Sequence, residues 1–424
     1  MEKLEWENGL RILLLPEEDA LSASLDIWVE AGSRYEDPAE QGISHFAEHM
    51  LFKGTGKRTA RQISEEIDAL GGSLNAYTTR QYTRFYAQVL AASSHPAEPG
   101  QVLDILLDML LCSRFDPSEL RMERGVILEE IAMYEDIGED LAHEALCGSV
   151  WPDSPIGRPV CGRPETVGRI TAPVLRRYVS RTYTPERMLV VLAGHFVRDD
   201  LLIKLERTLG KKPRGTGRPA GDTPAFRPGV TLLCRPFEQV SLEIGFPGLS
   251  YDDERRYAMM LLNFIMGGGA SSRLFQRLRE ERGLAYSVYS SHEAATGAGL
   301  FTISASVAPA NQQEVLREIR GILDGLCRGE GITSAELARA RAQIKASVIL
   351  GMETVASRSY YAGQNEFFSG RAIPVRELLS RFDAVTLEQV QSLAEATFAG
   401  PFAYAAAGPV CTADDVDSIL GRSR

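Results

Sequence analysis

Histidine is scarce in this chain, with six among 424 residues, and so are tryptophan (three) and cysteine (six). No run approaches the roughly 18 apolar residues of a membrane-spanning helix. The opening residues, Met1-Glu2-Lys3-Leu4-Glu5-Trp6, lack the basic-then-apolar pattern of a secretory leader. The cysteines (Cys112, Cys147, Cys161, Cys234, Cys327, Cys411) show no CxxC spacing. They read as reduced, structural residues of a cytoplasmic protein, unrelated buried thiols. Positive charge is not in excess: the formal net charge is −11, with both signs mixed along the chain. No nucleic-acid surface is expected from that balance.

What is present is the composition of an ordinary globular protein, 44% hydrophobic and 24% charged. A chain of this length suits two domains of about 200 residues each. The clearest break is 213–229, PRGTGRPAGDTPAFRPG, rich in Pro and Gly and without a hydrophobic period. It reads as a linker between domains 1–212 and 230–424. The two halves look like distant copies: AYTTRQYTRFYAQV from Ala76 is echoed by AYSVYSSHEAATGA from Ala285, and DPSELRMERGVILEEI from Asp116 by TSAELARARAQIKASV from Thr333.

Alternating apolar segments at Leu10–Leu15 and Ser22–Val29, and again at Leu74–Thr79 and Thr83–Leu90, predict strands. Helices are expected at Ile43–Phe52, after the capping box Thr59/Gln62, over Gln101–Leu111 and from Asp116-Pro117 onward. The order predicts an α+β fold of two homologous domains. Each is a mostly antiparallel sheet with helices packed on one face, and the pair encloses a cleft.

The most informative segment is His45-Phe46-Ala47-Glu48-His49. On a helix, residues four apart share a face, so His45 and His49 can bind one ion while Glu48 stands beside it as a base without ligating. Ile43, Phe46, Met50, Leu51 and Phe52 make this helix apolar nearly all round, and buried imidazoles and a carboxylate there need a partner that a cation supplies. A catalytic zinc takes a third protein ligand. At about 100° per residue, Leu120, Met122, Val126, Ile127, Ile131, Met133, Tyr134 and Ile137 form one apolar arc with Glu123 and Glu130 in its middle. Glu130 is therefore the expected third ligand. Glu123 is expected to support the site by accepting a ring N–H from a ligating histidine. In the second half the same register carries Ala340 and Ser347, and no HxxEH is found there. His95, His143, His195 and His292 lack ligand spacing and read as structural or solvent-exposed. Gly267-Gly268-Gly269, without a following GK[ST], reads as a turn and not a phosphate loop.

These residues resemble the pitrilysin/insulinase superfamily, and within it the two-domain subfamily that includes mitochondrial processing peptidase and its bacterial relatives. The match is dense in AGSRYEDPAEQGISHFAEHMLFKGT from Ala31, GGSLNAYTTRQYT from Gly71, ERGVILEEI from Glu123, WPDSPIGRPVCGRPETV from Trp151 and GGGASSRLFQRLREERGLAYSVYS from Gly267. The resemblance implies one Zn²⁺ per chain on His45, His49 and Glu130, with Glu48 as general base and Glu123 in support. It also implies that Arg279 and Tyr286 reach substrate from the second half, and that Asn75, Ala76, Tyr77 and Thr78 form an edge strand onto which a peptide adds. The implied activity is that of a metalloendopeptidase acting on extended peptides or unfolded segments, with the chain a homodimer. Two rivals stand beside it: a peptide-binding subunit that keeps the fold without the chemistry, and a metal-dependent hydrolase of some other ester or amide.

Overall fold

In the computed structural model, which describes residues 1–91, 98–219, 221–328 and 331–421, two sheets organise two compact units. The first sheet contains β1 (Glu2–Glu5), β2 (Arg11–Pro16), β3 (Ser22–Val29), β4 (Ser73–Thr78), β5 (Thr83–Leu90) and β6 (Met188–Gly194), in the order β1-β2-β6-β3-β5-β4. The second contains β7 (Gly229–Cys234), β8 (Val240–Pro247), β9 (Ala285–Ala295), β10 (Ala298–Val307) and β11 (Ala403–Gly408), in the order β7-β11-β8-β10-β9. Each sheet has one parallel pair, β2 with β6 and β7 with β11, and is otherwise antiparallel. Leaving β1 aside, the two orders superpose strand for strand, with β4 and β9 as equivalent edges. This is what a duplicated sequence should give. The short strand β1 was not anticipated, because Glu2–Glu5 alternates charge with only one Leu.

In the first unit the helices α1 (Ile43–Leu51), α2 (Ala60–Ala69), α3 (Glu98–Cys112) and α4 (Pro117–Asp136) bear on a core of Leu25, Ile27, Phe46, Met50, Phe85, Leu106, Ile127 and their neighbours. The capping box at Thr59 and Gln62 forms as the sequence predicts. Only a narrow stripe of α4 is buried: Leu120, Glu123, Ile127 and Ile131. The broad arc expected from periodicity is corrected here. Met122, Val126 and Met133 are 58%, 51% and 53% exposed, and Tyr134 and Ile137 also face outward. Spacing of 3, 4 and 4 gives one seam against the core, and hydrophobic character alone did not reveal which side of the arc that seam takes.

The compact units are not the two linear halves. Unit one comprises Met1–Ile131, Arg158–Ala220 and Gly351–Ile373; unit two comprises Ala132–Gly157, Gly221–Leu350 and Pro374–Arg424. The break after residue 220 falls inside the 213–229 stretch, but two segments are exchanged. The helix α5 (Gly138–Val150) sets Leu146, Cys147 and Val150 against Leu300, Ala403 and Ala405 of the second sheet. In return, the helix Val355–Ser369 sets Ala362 and Phe367 against Leu13, Trp28, Leu189 and Val191, covering the face of the first sheet that the other helices leave bare. Polar anchors accompany it. Ser359 Oγ donates to the buried Asp26 carboxylate, which also pairs with Arg84 at 2.6 Å, and Tyr360 stacks on Trp28 at 5.5 Å. The first part of the 213–229 stretch is tied to the first unit: Glu186 accepts the N–H groups of Gly215 and Gly217, and Arg218 pairs with Glu30 at 2.6 Å.

The six cysteines are free, but Cys112, Cys234 and Cys327 are exposed and only Cys147 is fully buried, which corrects the reading of them as core thiols. Among the described residues no helix is long and apolar enough to cross a membrane.

Candidate metal centre

The site is built from α1 and α4 and closed by the β4–β5 hairpin. Helix α1 begins after Gly42, whose φ of +89° and close approach to the backbone of Cys161 and Gly162 leave no room for a Cβ. Its unpaired first N–H groups are met by an unforeseen residue. The buried Glu36 carboxylate accepts from Gly42 N and Ser44 N, both at 2.7 Å. Burial raises that carboxyl to about 7 despite those two bonds and the nearby Arg158. Ser44 Oγ shares a hydrogen bond with the buried Tyr178 hydroxyl, so the first turn is held on two sides.

One turn on, His45 and His49 project together, ring centroids 4.6 Å apart. Both Nε2 atoms lie 3.7 Å from Glu130 Oε2 on α4. One donor atom from each of His45, His49 and Glu130 lies within 4.8 Å of the others, the set of His, Cys, Asp or Glu groups among the described residues that could hold a metal ion. Burial, and then the neighbouring His49, depress His45 to about 3, so its imidazole is neutral and free to ligate. Two imidazole nitrogens and one carboxylate oxygen are a donor set that zinc takes in catalytic sites, where it keeps an open position. The residues present fit that ion.

His49 is fixed further out. Its Nδ1 lies 3.1 Å from Glu123 Oε2, and the other oxygen of Glu123 lies 2.6 Å from Lys53 Nζ. Lys53, four residues after His49 and just past the end of α1, carries no signal of this role in the sequence. The ring of His45 relies on packing instead, because its buried Nδ1 has no hydrogen-bond partner among the described residues.

Glu48 is also buried, and burial raises its carboxyl above the usual range. Its Oε2 accepts a 2.5 Å hydrogen bond from Thr78 Oγ1 at the end of β4. In the sequence Thr78 stands out only as part of the expected peptide-pairing strand. Asn75, Ala76, Tyr77 and Thr78 lie on an edge strand, since among the described residues β4 pairs with β5 alone. Arg279 and Tyr286 belong to the second unit. Arg279 lies in a π-helical turn, Phe275–Glu281, with its guanidinium over the Phe275 ring, and Tyr286 opens β9 with 76% of its surface exposed.

The other histidines have ordinary partners. His143 pairs with Glu243 at 3.2 Å, His195 Nδ1 meets the Glu18 carbonyl, and His292 is bound to the backbone of Leu249. His95 lies outside the described residues.

Known proteins resemble the chain along nearly its whole length. Residues 11–163 match the family model described as insulinase (peptidase family M16), and residues 169–344 match the M16 inactive domain. The uncharacterised zinc protease YmxG of Bacillus subtilis is 37% identical over 406 residues, spanning 95% of this chain and 97% of its own. An uncharacterised zinc protease of Streptomyces coelicolor is 39% identical over 396 residues, covering 91% and 85%. In fold, a crystal structure from Pseudomonas fluorescens titled as a peptidase M16 inactive domain superposes with a TM-score of 0.89 at 20% identity, over 97% of this chain and 98% of that one. A protease from Helicobacter pylori superposes at 0.85 and 19% identity, over 96% and 99%. With a glutamate-backed histidine pair and a distal glutamate at its core, and relatives named zinc proteases along nearly its whole length, the chain belongs to peptidase family M16.

Proposed function

We propose that this chain is a zinc metalloendopeptidase that hydrolyses extended peptides or unfolded segments, with one zinc held by His45, His49 and Glu130. The observation that carries the reading is the convergence of those three side chains from two helices, with a second carboxylate, Glu48, held beside them and tied to Thr78. Zinc, when bound, supplies Lewis acidity that activates water and polarises a scissile carbonyl. The protein's own groups do the rest. Glu48, a carboxyl raised by burial, takes the proton of the attacking water and passes it to the leaving amine. Glu123 and Lys53 keep His49 in the tautomer whose Nε2 is free to ligate. The open edge of β4 at Asn75–Thr78 pairs with the backbone of an extended chain, which selects conformation more than sequence. Arg279 and Tyr286 hold substrate or stabilise the developing oxyanion. We place the enzyme in the cytoplasm as a homodimer.

The test is incubation of purified, zinc-loaded wild type and Glu48→Gln with an unfolded polypeptide, followed by mass spectrometry. New internal fragments from wild type and none from Glu48→Gln are expected. Intact substrate in both, with the polypeptide still bound, would make the chain a peptide-binding scaffold.

A further inference from the structure

Thr78 has two allegiances. Its main chain ends β4, paired with Thr83 of β5 on one side and lying on the sheet's open edge on the other. Its hydroxyl turns inward to Glu48, 2.5 Å from Oε2, and lies 3.1 Å from Thr83 Oγ1. The Thr83 hydroxyl donates to the Ala31 carbonyl at 3.0 Å, so its proton is already committed. The Thr78 proton goes to Glu48 Oε2, the shorter of its two contacts.

A buried carboxylate held at one oxygen by a donor fixed on a strand has little freedom to rotate. The donor stands on the residue that an incoming peptide would touch.

We propose that Thr78 is a positioning residue that couples docking of a peptide on β4 to the orientation of the general base Glu48. This rests on the reading of Glu48 as base and β4 as docking edge. A peptide strand laid along the edge immobilises the backbone of Thr78, and through its hydroxyl the carboxylate, before any bond is broken. Misplacement of a reacting group by about 1 Å costs roughly 100-fold in rate, so the coupling should act on turnover and leave affinity alone.

The experiment compares zinc-loaded wild type, Thr78→Val and Thr78→Ser on one unfolded peptide, with zinc content measured alongside. Thr78→Val keeps shape and backbone but removes the donor. It is expected to lose about 10- to 100-fold in kcat with KM and zinc content unchanged, and Thr78→Ser should recover most of the loss. Crystal structures should show the Glu48 carboxylate in more than one rotamer in Thr78→Val and in a single one in Thr78→Ser. A Thr78→Val variant at full kcat, a loss confined to KM, or a Thr78→Ser variant as slow as Thr78→Val would overturn the coupling while leaving the peptidase reading in place. Wild type that cleaves nothing would overturn both.

Discussion

Glu123 holds His49 in place: its Oε2 lies 3.1 Å from His49 Nδ1, leaving Nε2 directed toward Glu130. A histidine that donates its distal N–H to a carboxylate is a better metal ligand, and loss of such a partner typically costs 10- to 100-fold in affinity. Replacing Glu123 by Ala is expected to weaken zinc binding by about that factor, read by competition with a chelator of known affinity. Lys53→Met, which removes only the charge backing Glu123, should weaken it less. Equal zinc affinity in wild type and Glu123→Ala would remove Glu123 from the metal's support.

Glu36 gives a pH dependence whose sign follows from its burial. Its folded carboxyl is raised from 4.5 to about 7, so the folded state keeps this proton where the unfolded chain has lost it. The stabilising contribution is present below the unfolded value of 4.5 and is lost as pH rises toward 7. A change on the order of 3 kcal/mol across that window follows from the size of the shift. Urea midpoints at intervals from pH 4.5 to 8 should decline more steeply in wild type than in Glu36→Gln, and parallel curves would count against the buried proton.

Gly363 lies in the exchanged helix, where an added Cβ would stand 2.7 Å from Trp28 Nε1 and 3.0 Å from Cε2. The indole is fully buried and stacked against Tyr360, so it has no room to retreat. Gly363→Ala should lower unfolding free energy by about 1–3 kcal/mol without altering zinc content. An unchanged denaturation midpoint would show that this contact is softer than its packing indicates.

Because the helix Val355–Ser369 covers Leu13, Trp28, Leu189 and Val191, a fragment ending at residue 220 would leave that face of the first sheet uncovered. Such a fragment is expected to bind hydrophobic dyes and aggregate, although it contains the whole metal set. A monodisperse fragment with sharp thermal unfolding would contradict the role given to the exchanged helix.

Much of this was legible in the chain. The strands Ser22–Val29 and Thr83–Leu90 fall where alternation put them, and the HxxEH spacing dictated that two imidazoles share a face. Periodicity also brought Glu123 and Glu130 toward the site, because side chains seven apart on a helix sit nearly in line. The rest depended on tertiary contacts with no local signature. The exposed flank of α4 carries Met122, Val126 and Met133, as apolar as its buried seam, so composition could not separate the two. Glu36 caps α1 from a turn that reads as an ordinary charged loop, and Thr78 reads as a strand threonine until its distance to Glu48 is known. The helix exchange was hidden because Gly138–Val150 and Val355–Ser369 are ordinary helices in sequence. Only the uncovered sheet faces say where each belongs.

The proposed site places one zinc ion on His45, His49 and Glu130. Its most direct measurement is the metal content of mildly purified protein by inductively coupled plasma mass spectrometry, in wild type, Glu48→Gln and Glu130→Ala. One equivalent of zinc is expected in the first two and little in the third. Wild type that neither retains zinc nor takes it up from solution, or Glu130→Ala that binds it as tightly as wild type, would contradict it.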